Sequence, residues 1–518
     1  MSYWEKIFGP KFKIGLLIIL AAEVASFLAY YLQINDAVFF IAVALVLLAA
    51  VYSLGLGLII ALAELMIGSM GYLFYTNIAE IDISFRMAIW LIIIFVWLGK
   101  EFFALIRNKK NGEGISFQLK RIILFTSKGY LGSFVILFIF IGWGVIRGWL
   151  TNGSLEHIFL DFNGFLFFAL IFPAYRIASY YRINDLISTT LQIFASGLIW
   201  VALKSLALLF VFSHSSNFNI ELIYSWIRDT GVGEITRMQE GIYRIFFQSH
   251  IFTIIGLVLF LFAFNYFLFH NNKTLKENLS DHKIKLLSFF IGASSLAAAS
   301  IISFSRSLWL GLIAGLLLWG YATIREYGWK KLSISLASLF FIIILSFAMI
   351  TAITSFPYPA PTGQYSSSRA ISSRTQDTLH GGAAVSSRWA LLVQLWPNIK
   401  ENPIMGQGFG STITYKSSDP RVLEKDPEGN YTTFTFEWGW LDIWFKLGIL
   451  GLIYYIMLVG KIFFKGFFSK GGDKLLIISL AVGVAMVAVV NFFTPYLNHP
   501  LGIGYLILTT LILQKIKE

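Results

Sequence analysis

The chain has 518 residues, of which 57% are hydrophobic, 17% aromatic and only 13% charged, a balance that excludes a soluble fold because too much apolar surface would face water. It has no cysteine, which excludes disulfides and thiolate chemistry, and its net charge of +12 does not point to nucleic acid, because membrane proteins first consume basic residues in the positive-inside rule. The composition specifies an all-α polytopic membrane protein: apolar stretches of about 20 residues, long enough to cross a bilayer core of roughly 30 Å, alternate with short charged loops and lack the strict alternation of barrel strands.

In chain order the predicted spans are 14–32, 37–53, 55–75, 84–106, 129–147, 162–175, 186–212, 250–269, 286–304, 307–323, 332–354, 438–460, 475–493 and 500–514. They make about 12–14 transmembrane helices. The reading divides the chain into a helical region 1–354 with an external segment 213–249, an extracytoplasmic loop 355–437 before the last three helices, and a C-terminal helical region 438–518. The first span is too long for a signal-peptide core and has no small-x-small cleavage site, so it is expected to remain as an anchor.

The basic clusters 107–128, 273–285, 325–331 and 461–474, with Lys6, Lys11, Lys13, Lys515 and Lys517, fall on one side of these spans. That side is assigned to the cytoplasm. The opposite side carries mostly arginine: Arg86, Arg147, Arg228, Arg237, Arg244, Arg306, Arg369, Arg374, Arg388 and Arg421. Guanidinium binds phosphate with a planar fork, so an arginine-rich external face suits an anionic ligand, although water or lipid headgroups explain any single one equally well.

Within 213–249, Ile235, Met238, Ile242, Ile245 and Phe246 recur at helical spacing and predict an amphipathic interfacial helix carrying Arg237 and Arg244. The loop 355–437 opens with a Ser-, Gly- and Pro-rich stretch expected to be mobile. It continues with SSRWALLVQLWPNIKEN, where Trp389, Leu392, Val393 and Trp396 form an apolar helical period behind a capping serine. Lys204, Glu23 and Glu64 lie inside spans, where ionisable groups are either functional or paired for structural reasons.

Three motifs carry chemistry. In SFSRSLWLGLIAG, Arg306 stands at a helix junction with almost no loop, which fixes its position. In SSRW followed by NPIMGQGFGS, Arg388 precedes Gly406, Gly408 and Gly410, whose backbone can turn sharply and whose amides can form an anion-binding concavity. In FEWGWLDIWFKLGILGLI, Glu437 meets the next span among Trp438, Trp440 and Trp444, a belt that serves an interface and would also partly desolvate the carboxylate.

These motifs resemble the O-antigen ligase and O-antigen polymerase family of polytopic glycosyltransferases. The resemblance is specific over 303–320 and 386–453. It rests on the Ser305-Arg306 helix start, on Arg388 leading to Pro403-Ile404-Met405-Gly406-Gln407-Gly408, and on Glu437-Trp438-Gly439-Trp440-Leu441 with Gly448-Ile449-Leu450-Gly451. The family histidine is Glu437 here, its asparagine is Trp438, and an acidic residue near the motif's end is Lys446.

The resemblance implies a GT-C-like fold and inverting transfer of a glycan from an undecaprenyl-diphosphate carrier to an acceptor hydroxyl, outside the bacterial cytoplasmic membrane. The acceptor is a glycan, a lipid or a protein. Arg306 and Arg388 would steady the leaving diphosphate and Glu437 would accept the proton, with Arg237, Arg244, Gly406, Gly408 and Trp438 on the substrate side. No Asp-x-Asp pair or His-x-x-x-His spacing calls for a metal, no cofactor is expected, and no nucleic acid partner is implied. A flippase for lipid-linked glycans would use the same arginines without transfer, and an inactive scaffold of the same fold would account for the missing histidine.

Overall fold

Lipid offers no hydrogen-bond partners, so each apolar stretch satisfies its own backbone as a helix. The computed structural model describes residues 7–78, 81–110, 129–215, 219–238, 242–269, 283–363, 383–470 and 474–517. The chain begins with α1 (Pro10–Tyr31), α2 (Asn35–Tyr52) and α3 (Leu54–Ile67), followed by the hairpin β1 (Tyr75–Ile78) and β2 (Ile81–Ser84). Next come α4 (Phe85–Lys110), α5 (Leu131–Asn152), α6 (Leu155–Phe162), a 3-10 helix (Asn163–Leu170), α7 (Ile171–Tyr180), α8 (Ile183–Ser213) and α9 (Ile220–Asp229). A second hairpin, β3 (Glu234–Arg237) with β4 (Tyr243–Phe246), leads to α10 (His250–Phe269), α11 (Lys283–Ile302), α12 (Arg306–Tyr327) and α13 (Trp329–Thr354). The remainder is α14 (Ala383–Glu401), β5 (Ile413–Lys416), α15 (Pro420–Leu423), β6 (Asn430–Thr433), α16 (Gly439–Phe467), α17 (Lys474–Val490) and α18 (Pro500–Lys517).

Among the described residues 11 helical runs are long and apolar enough to cross a membrane, while α3, α17 and α18 are apolar but shorter. The protein is an all-α polytopic membrane protein, and each predicted span corresponds to a helix. Three boundaries differ. The span placed at 55–75 ends at Ile67, and the chain then enters a hairpin. The one placed at 162–175 is the middle of a 26-residue run, Leu155–Tyr180. The one beginning at 438 continues to Phe467 through a break at Gly448, whose φ of 72° and ψ of 176° are not helical.

The chain forms two compact units, each assembled from separated parts of the sequence. The first comprises residues 1–99, 173–371 and 466–486. In it α8 packs against α1, α3, α10, α11 and α13. Its buried charges are paired: Lys204 Nζ lies 2.6 Å from Glu23, and Arg86 grips Glu64 bidentately at 2.8 and 3.0 Å while donating to Ser69 O. These charges at membrane depth therefore tie helices to one another.

The interfacial helix expected over 235–246 is instead the antiparallel β3–β4 hairpin. The apolar positions that suggested a helical period are cross-strand partners: Ile235 faces Ile245, both are buried, and Met238 N–H donates to Ile242 O at 2.8 Å. Isoleucine, tyrosine and phenylalanine favour the pleated arrangement, and cross-strand pairing satisfies the same apolar spacing.

The second unit comprises residues 100–172, 372–465 and 487–518. In it the 3-10 helix packs on α18, and Tyr455 Oη donates to Leu497 O at 2.6 Å. The second part of the expected loop is an ordered subdomain, α14 with the β5–β6 hairpin, built on Leu391, Leu395, Ile399, Ile413, Phe436 and Phe445. Of the Ser-, Gly- and Pro-rich stretch before it, residues 364–382, including Arg369 and Arg374, lie outside the described residues.

Candidate active site

The glycine motifs of the second unit fold into one interlock. Gly406, Gly408 and Gly410 have φ of 74°, 86° and 79°, the left-handed region that glycine enters without steric cost. A Cβ on Gly406 would lie 2.8 Å from Lys446 O, one on Gly408 would strike the backbone of Gly148, and one on Gly448 would strike Ile404 O. The turn is thus seated against the break in α16, which lets Gln407 N–H reach Phe445 O at 2.7 Å and Ile449 N–H reach Pro403 O at 2.9 Å.

From α5, Trp143 donates to Met405 O (2.9 Å), Arg147 to Gly406 O (3.2 Å) and Thr151 to Gln407 O (2.8 Å). The amides of Gly406, Gln407, Phe409 and Gly410 all donate to protein acceptors. These four amides are thus engaged within the protein, and the turn is held by backbone and side-chain contacts together.

In the same unit, Arg388 and Glu437 form an ion pair through Arg388 Nε and Glu437 Oε2. The pair sits at the surface: the Glu437 side chain is 55% exposed and that of Arg388 28%. The desolvation expected from neighbouring tryptophans does not occur, because Trp438 turns inward, donating from Nε1 to Arg388 O at 3.1 Å and packing on Phe493. Burial, and then the Glu437 charge, push the Tyr415 phenol up to about 12.

Arg388 follows the buried face of α14, defined by Leu391, Leu395 and Ile399. Of the apolar period Trp389, Leu392, Val393 and Trp396, Leu392 is half-buried and the other three are exposed. Ser386 and Ser387 do not cap the helix, which begins at Ala383; their hydroxyls instead meet Ser418 and Ser417 beside β5.

Sequence reading missed a buried charge cluster directly behind the turn. Lys446 Nζ pairs with Asp161 and, at 2.6 Å, with Asp442. Asp161 also accepts the Gly410 N–H at 2.8 Å, and Asp442 accepts Asn498 Nδ2 at 2.5 Å. The cluster links α6, the turn, α16 and the segment before α18. Its legible signals were the Asp442/Lys446 spacing of one helical turn and the replacement of an acidic family residue by Lys446.

Arg306, Arg237 and Arg244 belong to the first unit. Arg306 is the first residue of α12, after Phe304 in a left-handed turn (φ 46°). Arg244 donates from Nε to Ser303 O at 3.0 Å and pairs with Glu234, so it ties the β3–β4 hairpin to the α11–α12 junction where Arg306 begins its helix. Arg237 is exposed at the end of β3.

Residues 289–456 match the family model described as O-antigen ligase, a stretch that includes Arg306, Arg388, the glycine clamp, Glu437 and Lys446. A search of curated proteins and a search of solved structures each return no match. The match at residues 289–456 supports an O-antigen ligase/polymerase-like family for this multi-pass membrane protein and suggests a glycosyltransferase-like enzyme.

Proposed function

We propose that the protein transfers a glycan from an undecaprenyl-diphosphate-linked donor to an acceptor hydroxyl at the outer face of the bacterial cytoplasmic membrane, with inversion and without a metal ion. The observation that supports this most directly is the surface pairing of Arg388 with Glu437 inside the stretch that matches the O-antigen ligase model. In the reaction, the acceptor oxygen attacks the anomeric carbon, the diphosphate leaves with the bonding electrons, and the hydroxyl proton passes to Glu437. Arg388 and Arg306 neutralise the charge that grows on the leaving diphosphate. Arg237, Arg244, Gly406, Gly408 and Trp438 shape or line the substrate side.

The ion pair gives the reaction an order. A bound diphosphate competes with Glu437 for the Arg388 guanidinium, and a carboxylate released from its cation becomes a better proton acceptor. Purified protein with a lipid-linked donor tests the reading directly: glycan transfer is expected, and donor binding without product would leave a carrier role instead. Arg306→Lys and Arg388→Lys should each impair transfer, since lysine keeps the charge but loses the fork. Wild-type rates in both would remove the arginines from the leaving-group role.

Glu437→Gln should lower turnover by about 10² or more with donor binding retained, the signature of a lost base. Weakened donor binding with little change in turnover at saturation would make Glu437 an orienting partner of Arg388. Glu437→His restores the family residue and is expected to retain measurable transfer.

A further inference from the structure

The helix α14 has three faces. Leu391, Leu395 and Ile399 face the subdomain core, and Gln394 and Glu401 form an exposed polar face. The third face is apolar and exposed: Trp389, Val393 and Trp396 are 60%, 62% and 41% accessible. A helix that already buries one apolar face has no folding reason to carry a second.

This third face continues into further exposed apolar surface of the same unit. Trp396 packs edge-on against Trp444 of α16, with ring centroids 5.7 Å apart, and Trp444 Nε1 is anchored to Pro403 O. Beyond Pro403, Ile404 and Met405 are exposed, and Met405 O is held by Trp143 of α5. On the membrane-crossing helices themselves, Trp149 and Leu150 of α5 and Leu450 and Ile453 of α16 are exposed in the same unit. At the helix's end Lys400 lies over the Trp396 ring at 5.5 Å, an apolar stem with a cationic tip. Exposed tryptophans backed by a lysine, joined to the outer surface of spanning helices, form the side-chain set of a headgroup boundary.

We propose that α14 is an interfacial helix, lying on the bilayer with Trp389, Val393 and Trp396 inserted roughly 5–10 Å into the headgroup–acyl boundary. Its partner is the phospholipid surface. The helix's core-facing side then holds Arg388 at headgroup level, where the diphosphate of any lipid-linked anion resides. The proposal does not depend on the transfer reaction, and no donor or acceptor enters its test.

The absence of native cysteine allows single-site spin labels on the full-length chain. Val393→Cys and Gln394→Cys, adjacent in sequence but about 100° apart around the helix, would be labelled with a nitroxide and reconstituted in phosphatidylcholine/phosphatidylglycerol nanodiscs. Collisions would then be measured with oxygen, which partitions into lipid, and with a water-soluble nickel chelate. The oxygen-to-nickel collision ratio is expected to be about tenfold higher at 393 than at 394, and Trp389→Cys should repeat the result of 393 one turn earlier. Equal ratios at 393 and 394 would overturn the proposal by showing an aqueous face. Shielding of 393 from both reagents, with dipolar broadening between labels, would also overturn it by assigning the face to a second copy of the chain.

Discussion

Replacing Lys446 with methionine tests whether the buried charge cluster holds the glycine clamp in place. Lys446, Asp161 and Asp442 are all almost completely buried, and the ammonium is the cation that both carboxylates share. Lys446→Met keeps an unbranched stem out to the ε position, removes the ammonium and leaves two carboxylates enclosed together. Breaking a buried pair by removing one partner costs about 3–5 kcal/mol. The lower end applies here, because Gly410 N–H still donates to Asp161 and Asn498 Nδ2 still donates to Asp442. Lys446→Met combined with Asp161→Asn and Asp442→Asn removes every charge at once and should regain most of the loss, since a neutral replacement of a whole buried cluster is often tolerated. The assay is equilibrium unfolding of detergent-solubilised protein by sodium dodecyl sulfate, followed by circular dichroism, with donor binding measured in parallel. A Lys446→Met variant within about 0.5 kcal/mol of the parent protein, or a triple variant no more stable than the single one, would refute this account.

Gly448→Ala should destabilise the protein and reduce transfer, because a Cβ there meets Ile404 O and the positive-φ backbone alone costs an alanine about 1–3 kcal/mol; Gly142→Ala, in mid-helix with no atom nearby, should cause no loss in the same unfolding assay. Tyr415 should ionise near pH 12, read as the 295 nm difference between the parent protein and Tyr415→Phe, and Glu437→Gln should move that midpoint downward by removing the nearby negative charge. Since this phenol's pKa is raised above the free value of 10, its contribution to stability is intact below about pH 10 and is lost as pH rises through about 12. Transfer should survive EDTA; loss restored by magnesium or manganese would recruit Asp419, Glu424, Asp426 and Glu428, the acidic stretch around α15, as metal ligands.

The membrane-spanning helices are legible in the chain alone, because hydrocarbon leaves the backbone one way to satisfy itself and about 20 apolar residues announce each crossing. The sequence also located the Arg388 and Glu437 motifs and the three turn glycines, since left-handed turns and helix starts are local events. Tertiary structure alone decided which face of α14 is buried: both of its apolar stripes fit a helical period, and only packing against Ile413, Phe436 and Phe445 selects Leu391, Leu395 and Ile399. Packing likewise assigned the backbone amides of the glycine turn to Phe445, Gly144 and Asp161, groups distant in sequence. Lys446 found Asp161 only when α6 and α16 came together, an encounter 285 residues apart that no local pattern encodes. Hydrophobic periodicity is a property of one segment, whereas charge pairing and the choice between two apolar faces belong to the partner that the segment meets.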